Sequence, residues 1–352
     1  MYSFNNDYSE GAHPKILEAL AVASCEQNNA YGNDSHSINA AMKIKQLVGC
    51  EDVDVHFMEG GTQTNMTAIS AFLRPYEAVV SALTGHVNGH ETGAVEATGH
   101  KILTVDTADG TLTPELVQCI LDNYTNEHMV KPKLVYISDS TEIGTIYTKA
   151  ALVNLSNFCK ANHLYLYLDG ARLGAALTCA ENDLTMQDLS KLTDAFYIGG
   201  TKNGALFGEA LVICNPSLKE NFRYMLKQKG AMLAKGMVLG VQFEELFANN
   251  LYFDMATHAN EMANQLRITI ENAGFEFLAK SPTNQLFPIL PNWLIEKLQQ
   301  EFEFQLWQKI SGSTSAIRLV TSWATPESAV KDFVQSFNDL IIKKKERCNE
   351  KT

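Results

Sequence analysis

The chain has 352 residues, of which 45% are hydrophobic and 19% charged, a balance that excludes long disordered tracts and asks for more than one core. Its formal net charge of -12 argues against nucleic-acid binding, and the one cationic run, Lys343-Lys344-Lys345-Glu346-Arg347, reads as the solvated end of a last helix. The seven cysteines are scattered with no Cys-x-x-Cys, no signal-like start is present, and no apolar run is long enough for a bilayer, so we expect a soluble cytoplasmic protein with no membrane partner.

In chain order, short apolar runs alternate with helical patterns from about residue 50 to 215. Strands are predicted at 53–58, 79–83, 102–105, 133–138, 164–168, 195–199 and 210–214, with helices over 62–73 and 149–162 and another opened by Thr113-Pro114-Glu115. Strands separated by helices imply an α/β fold with a mostly parallel sheet covered on both faces. Beyond about residue 245 the pattern becomes a small α+β arrangement: a helix over 253–273, strands at 275–278, 286–290, 303–307 and 316–321, a helix from near Pro291, and a final helix capped by Thr325-Pro326-Glu327. The expected division is a large domain, 1–245, and a small C-terminal domain, 246–352, with the boundary in a helical stretch rather than a tether.

Two strand ends carry the chemistry. One presents Asp169-Gly170-Ala171-Arg172 and the other Gly199-Gly200-Thr201-Lys202. Ligands of α/β sheets bind at such ends. An acid and a lysine delivered to one rim are what pyridoxal 5'-phosphate (PLP) needs: Lys202 to form the Schiff base, and Asp169 to keep the pyridine nitrogen protonated. Taken singly, Asp169 is as readily a turn residue ahead of Gly170, and Lys202 a turn lysine. Gly60 and Gly61 precede a helix whose first N–H groups can meet a phosphate, with the Thr62 hydroxyl beside them; the plainer alternative makes Thr62 an N-cap. No Gly-x-x-x-x-Gly-Lys loop supports a nucleotide site.

His86 follows a predicted strand, where an imidazole could stack on a flat cofactor or move a proton. His86 and His90, four apart, also admit a metal pair, but no third ligand is evident and Gly89 weakens the helix, so no metal is expected. Arg172 and Arg318 are candidate anion receptors. Arg318 lies in the apolar run 315–320 and wants a bidentate carboxylate, either from a substrate or from a structural acid.

Assembled in order, these residues resemble the L-threonine aldolase family, in the β-eliminating lyase group of fold-type-I PLP enzymes. The likeness covers nearly the whole chain: Asn5-Asn6-Asp7, Ala30-Tyr31-Gly32-Asn33-Asp34, Gly61-Thr62-Gln63-Thr64-Asn65, His86, Asp169-Gly170-Ala171-Arg172, Lys202 and Ile317-Arg318-Leu319-Val320-Thr321. The resemblance implies cleavage of L-threonine, L-allo-threonine or related β-hydroxy-α-amino acids to glycine and an aldehyde. It implies that Gly61 and Thr62 hold the phosphate, His86 stacks on the ring, Asp169 binds the pyridine nitrogen, and Arg172 and Arg318 serve the substrate carboxylate. It further implies a homodimer or homotetramer, with the Tyr31-Gly32 loop near a subunit interface. The sequence departs from the family pattern in three places. Asn6 stands where a serine is common on the substrate side. Glu142 stands where a histidine is common, which makes it a candidate base. Lys229 or Lys235 replaces an arginine of the Gly-rich segment. The same fold also serves β-elimination and transamination; a metal-dependent hydrolase using His86, His90 and Glu91 leaves Asp169, Arg172 and Lys202 unexplained, and a non-catalytic PLP-binding or scaffold protein stands as a further alternative.

Overall fold

Strands whose successive residues are all apolar must be covered on both faces. In the computed structural model, which describes residues 1–349, the middle of the chain obeys this rule. After a two-residue strand β1 (Tyr2–Ser3) come β2 (Asp54–Met58), β3 (Glu77–Ala82), β4 (Ile102–Val105), β5 (Lys131–Ser138), β6 (Tyr165–Asp169), β7 (Ala195–Gly199) and β8 (Glu209–Ile213). Strands β2 to β8 form one seven-stranded sheet in the order β2-β8-β7-β6-β5-β3-β4. Pairings among β3 to β7 are parallel, and only β8 runs antiparallel to its two neighbours.

Alternate residues of each strand point into different cores. Val80, Val135, Leu166, Phe196 and Val212 pack against Ile44 and Val48 of the helix Ser35–Val48 and Leu152 and Leu155 of Lys149–Ala161. Val79, Leu134, Tyr136, Tyr167, Tyr197 and Leu211 pack on the other face against Ile69 and Phe72 of Gly61–Phe72 and Phe222 of Phe222–Gln228. Two helices not among the predicted elements precede the sheet, Pro14–Ala23 and Ser35–Val48; the second starts at Asp34, whose side chain accepts from Ser37 N at 2.8 Å, and ends at Gly49 in the left-handed region.

The C-terminal part contains β9 (Gln285–Leu286), β10 (Ile289–Pro291), β11 (Phe302–Glu303), β12 (Gln305–Lys309) and β13 (Thr314–Val320). Four of them form a sheet around β13, while β11 pairs in parallel with β1. Leu286, Leu290, Ile317 and Leu319 pack under Met262, Leu266 and Ile270 of the helix Leu251–Asn272 and Phe333 and Phe337 of the last helix. The first turns of Leu251–Asn272 bury Leu251, Tyr252 and Met255 in the large core instead, so one continuous helix belongs to both cores.

Three strand expectations are corrected here. Residues 275–278 form no strand and contribute one isolated bridge, Phe277 to Pro288. The run 286–290 is split into β9 and β10 because Pro288 has no N–H to continue a ladder. The run 303–307 is split because β11 pairs with β1 and β12 with β13. The six cysteines among the described residues are all unpaired; the side chains of Lys345, Arg347 and Cys348 lie outside the described residues.

Candidate active site

Two glycines bring the key turns together. A Cβ at Gly170 would lie 1.9 Å from Tyr197 O, and one at Gly199 would lie 2.4 Å from Ala171 O. The turns after β6 and β7 therefore pack backbone against backbone, with Gly199 N donating to Gly170 O at 2.9 Å. Asp169 and the Lys202 loop share one rim of the sheet as a result.

Asp169 is 3% exposed and accepts four hydrogen bonds. Tyr136 Oη (2.6 Å) and Asn65 Nδ2 (2.9 Å) donate to Oδ2; Tyr197 Oη (2.6 Å) and Ala171 N (3.0 Å) donate to Oδ1. Burial alone would raise its pKa. The nearby His86 and the bonds from Tyr136, Tyr197 and Asn65 more than offset that and hold the carboxyl below its ordinary value. Lys202 makes no ion pair among the described residues. Burial, reinforced by the Arg172 charge, lowers its pKa against the opposing pull of Asp7, Asp169 and Glu209. An amine held in this way is a better nucleophile than a solvated lysine. Glu209, behind it on β8, accepts from Gly200 N at 3.0 Å, and burial pushes its carboxyl up to about 8.

His86 opens the short helix His86–Gly89, and its Nδ1 meets Glu91 Oε1 at 2.8 Å. Asn65 Nδ2 also donates to Glu91 Oε1, at 2.7 Å, so this amide joins Glu91 to Asp169. Burial raises Glu91, with the bonds from His86 and Asn65 opposing. Glu142 is tied to the same group: its Oε1 accepts from His86 N at 2.8 Å and from Ser138 Oγ at 2.7 Å. Burial raises the Glu142 pKa; the Ser138 bond opposes this and the Asp169 charge adds to it. His86, Glu91 and Asp169 bring ligand-type atoms within 4.8 Å of one another, but those atoms are committed to each other and to the phenol and amide donors just described. His90, the other half of the metal reading, does not join that group; its ring lies 5.6 Å from that of His86.

The arginines differ. Arg172 Nε donates to Asp7 Oδ2 at 2.7 Å and Nη2 to Asp7 Oδ1 at 2.9 Å. Arg318, on β13, donates from Nη1 to Gln305 Oε1 (3.1 Å) and from Nη2 to Gln285 Oε1 (2.7 Å), and lies 5.6 Å from the centre of the Trp307 ring system. Among the described residues its Nε is buried without a partner and it makes no ion pair, so the structural acid allowed by its sequence is not found there. Burial and then the Arg172 charge bring Arg318 down to about 10, so it stays a cation at neutral pH.

Gly61 is the first residue of the helix Gly61–Phe72, and Gly60 is its cap without a side-chain bond. Thr62 is exposed in that first turn, so it is not the N-cap. A Cβ at Gly61 would come within 3.0 Å of Tyr197 Oη, the hydroxyl that serves Asp169. Asn6 Oδ1 accepts from Tyr8 N (3.0 Å) and Ser9 Oγ (2.9 Å), beside Asp7. Sequence reasoning missed the tasks of Tyr136, Tyr197, Glu91, Gln285, Gln305 and Asp7. For the tyrosines a signal existed, since a phenol in an apolar strand needs a buried partner; for the glutamines there was none.

The sequence matches the family described as beta-eliminating lyase over residues 7–291. This chain belongs to that family. It is 31% identical over 345 residues to a low-specificity L-threonine aldolase of a Pseudomonas species, covering 96% of this chain and 97% of that one. Among solved structures it resembles a threonine aldolase of Leishmania major, with a TM-score of 0.96, 49% identity, and coverage of 97% of this chain and 100% of that one. The fold is also that of an aspartate aminotransferase mutant of Thermus thermophilus, at a TM-score of 0.70 and 15% identity over 94% of this chain and 88% of that one. The fold is thus the fold-type-I PLP-dependent transferase architecture. No helix among the described residues is long and apolar enough to cross a membrane.

Proposed function

We propose that the protein is a PLP-dependent aldolase, a carbon–carbon lyase that cleaves L-threonine, L-allo-threonine or related β-hydroxy-α-amino acids to glycine and an aldehyde. The observation that carries this reading is the pairing of Asp169 and Lys202 on one rim: a buried carboxylate kept ionised by four donors beside an amine whose pKa is lowered. These groups fit PLP. Asp169 would bind the pyridine N–H, Lys202 would hold the cofactor covalently, and His86, fixed by Glu91, would lie against the ring. Gly61, Thr62 and the uncapped N–H groups of their helix would take the phosphate. When bound, PLP supplies a sink for the electron pair released as the Cα–Cβ bond breaks.

The remaining steps belong to the chain. Arg318 pairs with the substrate carboxylate, with Arg172 and Asn6 at the edge of that subsite. Glu142 accepts the β-hydroxyl proton, either directly or in concert with His86. Its Oε1 is anchored by Ser138 and His86 N, which fixes the carboxylate's orientation, and its raised pKa brings it nearer the working range of a general base. We further place the protein in the cytoplasm as a homodimer or homotetramer with the Tyr31-Gly32 loop at the interface, and we divide it into a cofactor-binding domain, 1–245, and a small domain, 246–352. Tyr31 supports the interface reading by its 41% exposure.

Product analysis tests the activity. Purified protein with PLP and threonine should yield glycine and acetaldehyde in equal amounts. Ammonia with a keto acid would replace the aldolase reading by a β-eliminating lyase, and a keto acid without ammonia, with the amino group passed to an added acceptor keto acid, would replace it by an aminotransferase. Borohydride reduction and peptide mapping should place the pyridoxyl label on Lys202.

A further inference from the structure

The turn that carries Glu142 does not stand on the large sheet alone. It closes on itself, with Thr141 N donating to Thr145 O and Gly144 N to Thr141 O, both at 2.9 Å. Its other side rests on residues 281–285, the segment that leads into β9 of the C-terminal sheet. Thr283 Oγ1 donates to Gly144 O at 3.1 Å. Gly144, at a φ of +81°, packs so closely that an added Cβ would lie 2.2 Å from Ser281 Oγ and 3.0 Å from Gln285 O. Ile143, the residue after Glu142, is buried with Ala279 and Phe287.

Gln285 joins this seat to the arginine. Its side chain is fully buried, at 0% exposure. Oε1 accepts from Arg318 Nη2 at 2.7 Å, and Nε2 donates to Thr141 O across a longer 3.4 Å. A primary amide can accept at one end and donate at the other, which neither a carboxylate nor a thioether can do. An apolar route runs beside it: Phe287 meets Trp307 edge-on with ring centres 5.0 Å apart, and the Arg318 guanidinium lies 5.6 Å from the Trp307 ring. In the reaction proposed above, Arg318 sets where the substrate carboxylate sits, and Glu142 must then reach the β-hydroxyl of the same molecule. A misplacement of about 1 Å between such groups can cost about 10²-fold in rate.

We propose that Gln285 is a positioning residue: by linking Arg318 to Thr141 O it holds the Glu142 turn at a fixed separation from the carboxylate receptor, so that an amino acid bound through its carboxylate presents its β-hydroxyl to the base. The assignment rests on the reading of Arg318 as that receptor and Glu142 as that base.

Gln285→Met, close in length but without polar ends, tests it in the holoenzyme by two measurements. Amide hydrogen exchange over residues 141–145 should quicken by about 3–10-fold, the equivalent of one net hydrogen bond, while β6 and β7 keep their wild-type rates. The kcat for threonine should fall by about tenfold or more. That fall should be missing when Gln285→Met is combined with Glu142→Gln, because misplacing a base that is already absent costs nothing further. A glutamine that merely supports Arg318 gives a raised KM with wild-type kcat and wild-type exchange, and that result would overturn the assignment. So would an equal loss of kcat in both backgrounds, or faster exchange spread over the whole chain, since either marks a general loosening. Gln285→Glu covers the case in which the methionine variant does not fold. Ionised beside Arg318, it keeps that bond and loses only the donor to Thr141 O, so exchange over 141–145 should again quicken; a wild-type rate there would also sink the assignment. Threonine cleavage at the wild-type rate by Glu142→Gln would remove the base reading instead, and the exchange measurement would still decide whether Gln285 holds the turn.

Discussion

Asp169, buried at the rim of the large sheet, and Arg318, half-buried in the C-terminal sheet, are both charges without an ion pair among the described residues, but their surroundings differ. Asp169 on β6 is flanked by phenols from β5 and β7, its two strand neighbours, and its oxygens accept four hydrogen bonds. Arg318 is held by Gln305, directly across on β12, and by Gln285 on β9, and it keeps an unpartnered Nε. A guanidinium has five N–H donors, so Arg318 has donors to spare, whereas the donors around Asp169 fix the orientation of its carboxylate and keep it ionised. A charge held rigid in this way suits a group that stays bound through many turnovers; one with free donors suits a ligand that comes and goes.

The comparison can be broken first at the rim. Lys202→Ala should abolish threonine cleavage and leave no borohydride-fixable pyridoxyl label, while Arg318 variants should retain the label. An equal label in Lys202→Ala would move the attachment point elsewhere. Next comes Glu142→Gln, which should lower kcat for threonine by about 10²–10⁴-fold if Glu142 is the base. Because burial raises the Glu142 pKa, the base is ionised only above that raised value. Wild-type kcat/KM should therefore climb as pH rises through it, and the acid limb should vanish in the Gln variant. A persisting limb would pass the role to His86.

On the other side of the comparison, Arg318→Leu should raise KM by an amount equivalent to about 2–5 kcal/mol, the cost of losing one partner of a desolvated charge pair, with the cofactor absorbance intact. An unchanged KM would make Arg318 structural and erase the contrast with Asp169. The smallest effect is expected at a charged cluster belonging to neither region. His36 meets Glu26 Oε2 at 2.8 Å and Glu244 Oε2 at 2.7 Å; burial lowers its pKa, but the bonds to both carboxylates outweigh that and raise it. A raised histidine stabilises fully below the unfolded value of about 6.5 and loses that contribution as pH rises through the folded value. Tm should fall over that window in the wild type and less in His36→Gln. A Tm of His36→Gln with the same pH dependence would show that the cluster contributes nothing to it.

Much of the large sheet was legible because its strands are short apolar runs closed by glycine turns, and β6 and β7 end where their sequences change character, at Asp169 and Gly199. The C-terminal strands were harder, since Pro288 and the change of partner around Phe304 divide runs that look continuous. Lys202, Asp169, His86, Arg172 and Arg318 could be singled out by residue type and place, Glu142 only through the family resemblance. Their partners could not. Asp7 meets Arg172 across 165 residues, and Gln285 meets Arg318 across 33, and neither register is written in local pattern. For Thr62 the plainer alternative fails: the N-cap is Gly60, two residues earlier, and the helix begins at Gly61.

The pairing of Tyr2 with Phe302 sets an order of events during synthesis. Phe4 and Asp7 are made well before their partners, and can be held only once Asn284, Glu303 and Val320 have emerged. Elongation proceeds at about 5–20 residues per second, so the nascent large sheet spends many seconds with Arg172 uncovered. The contact between Asp7 and Arg172 therefore closes only after the C-terminal sheet has been made.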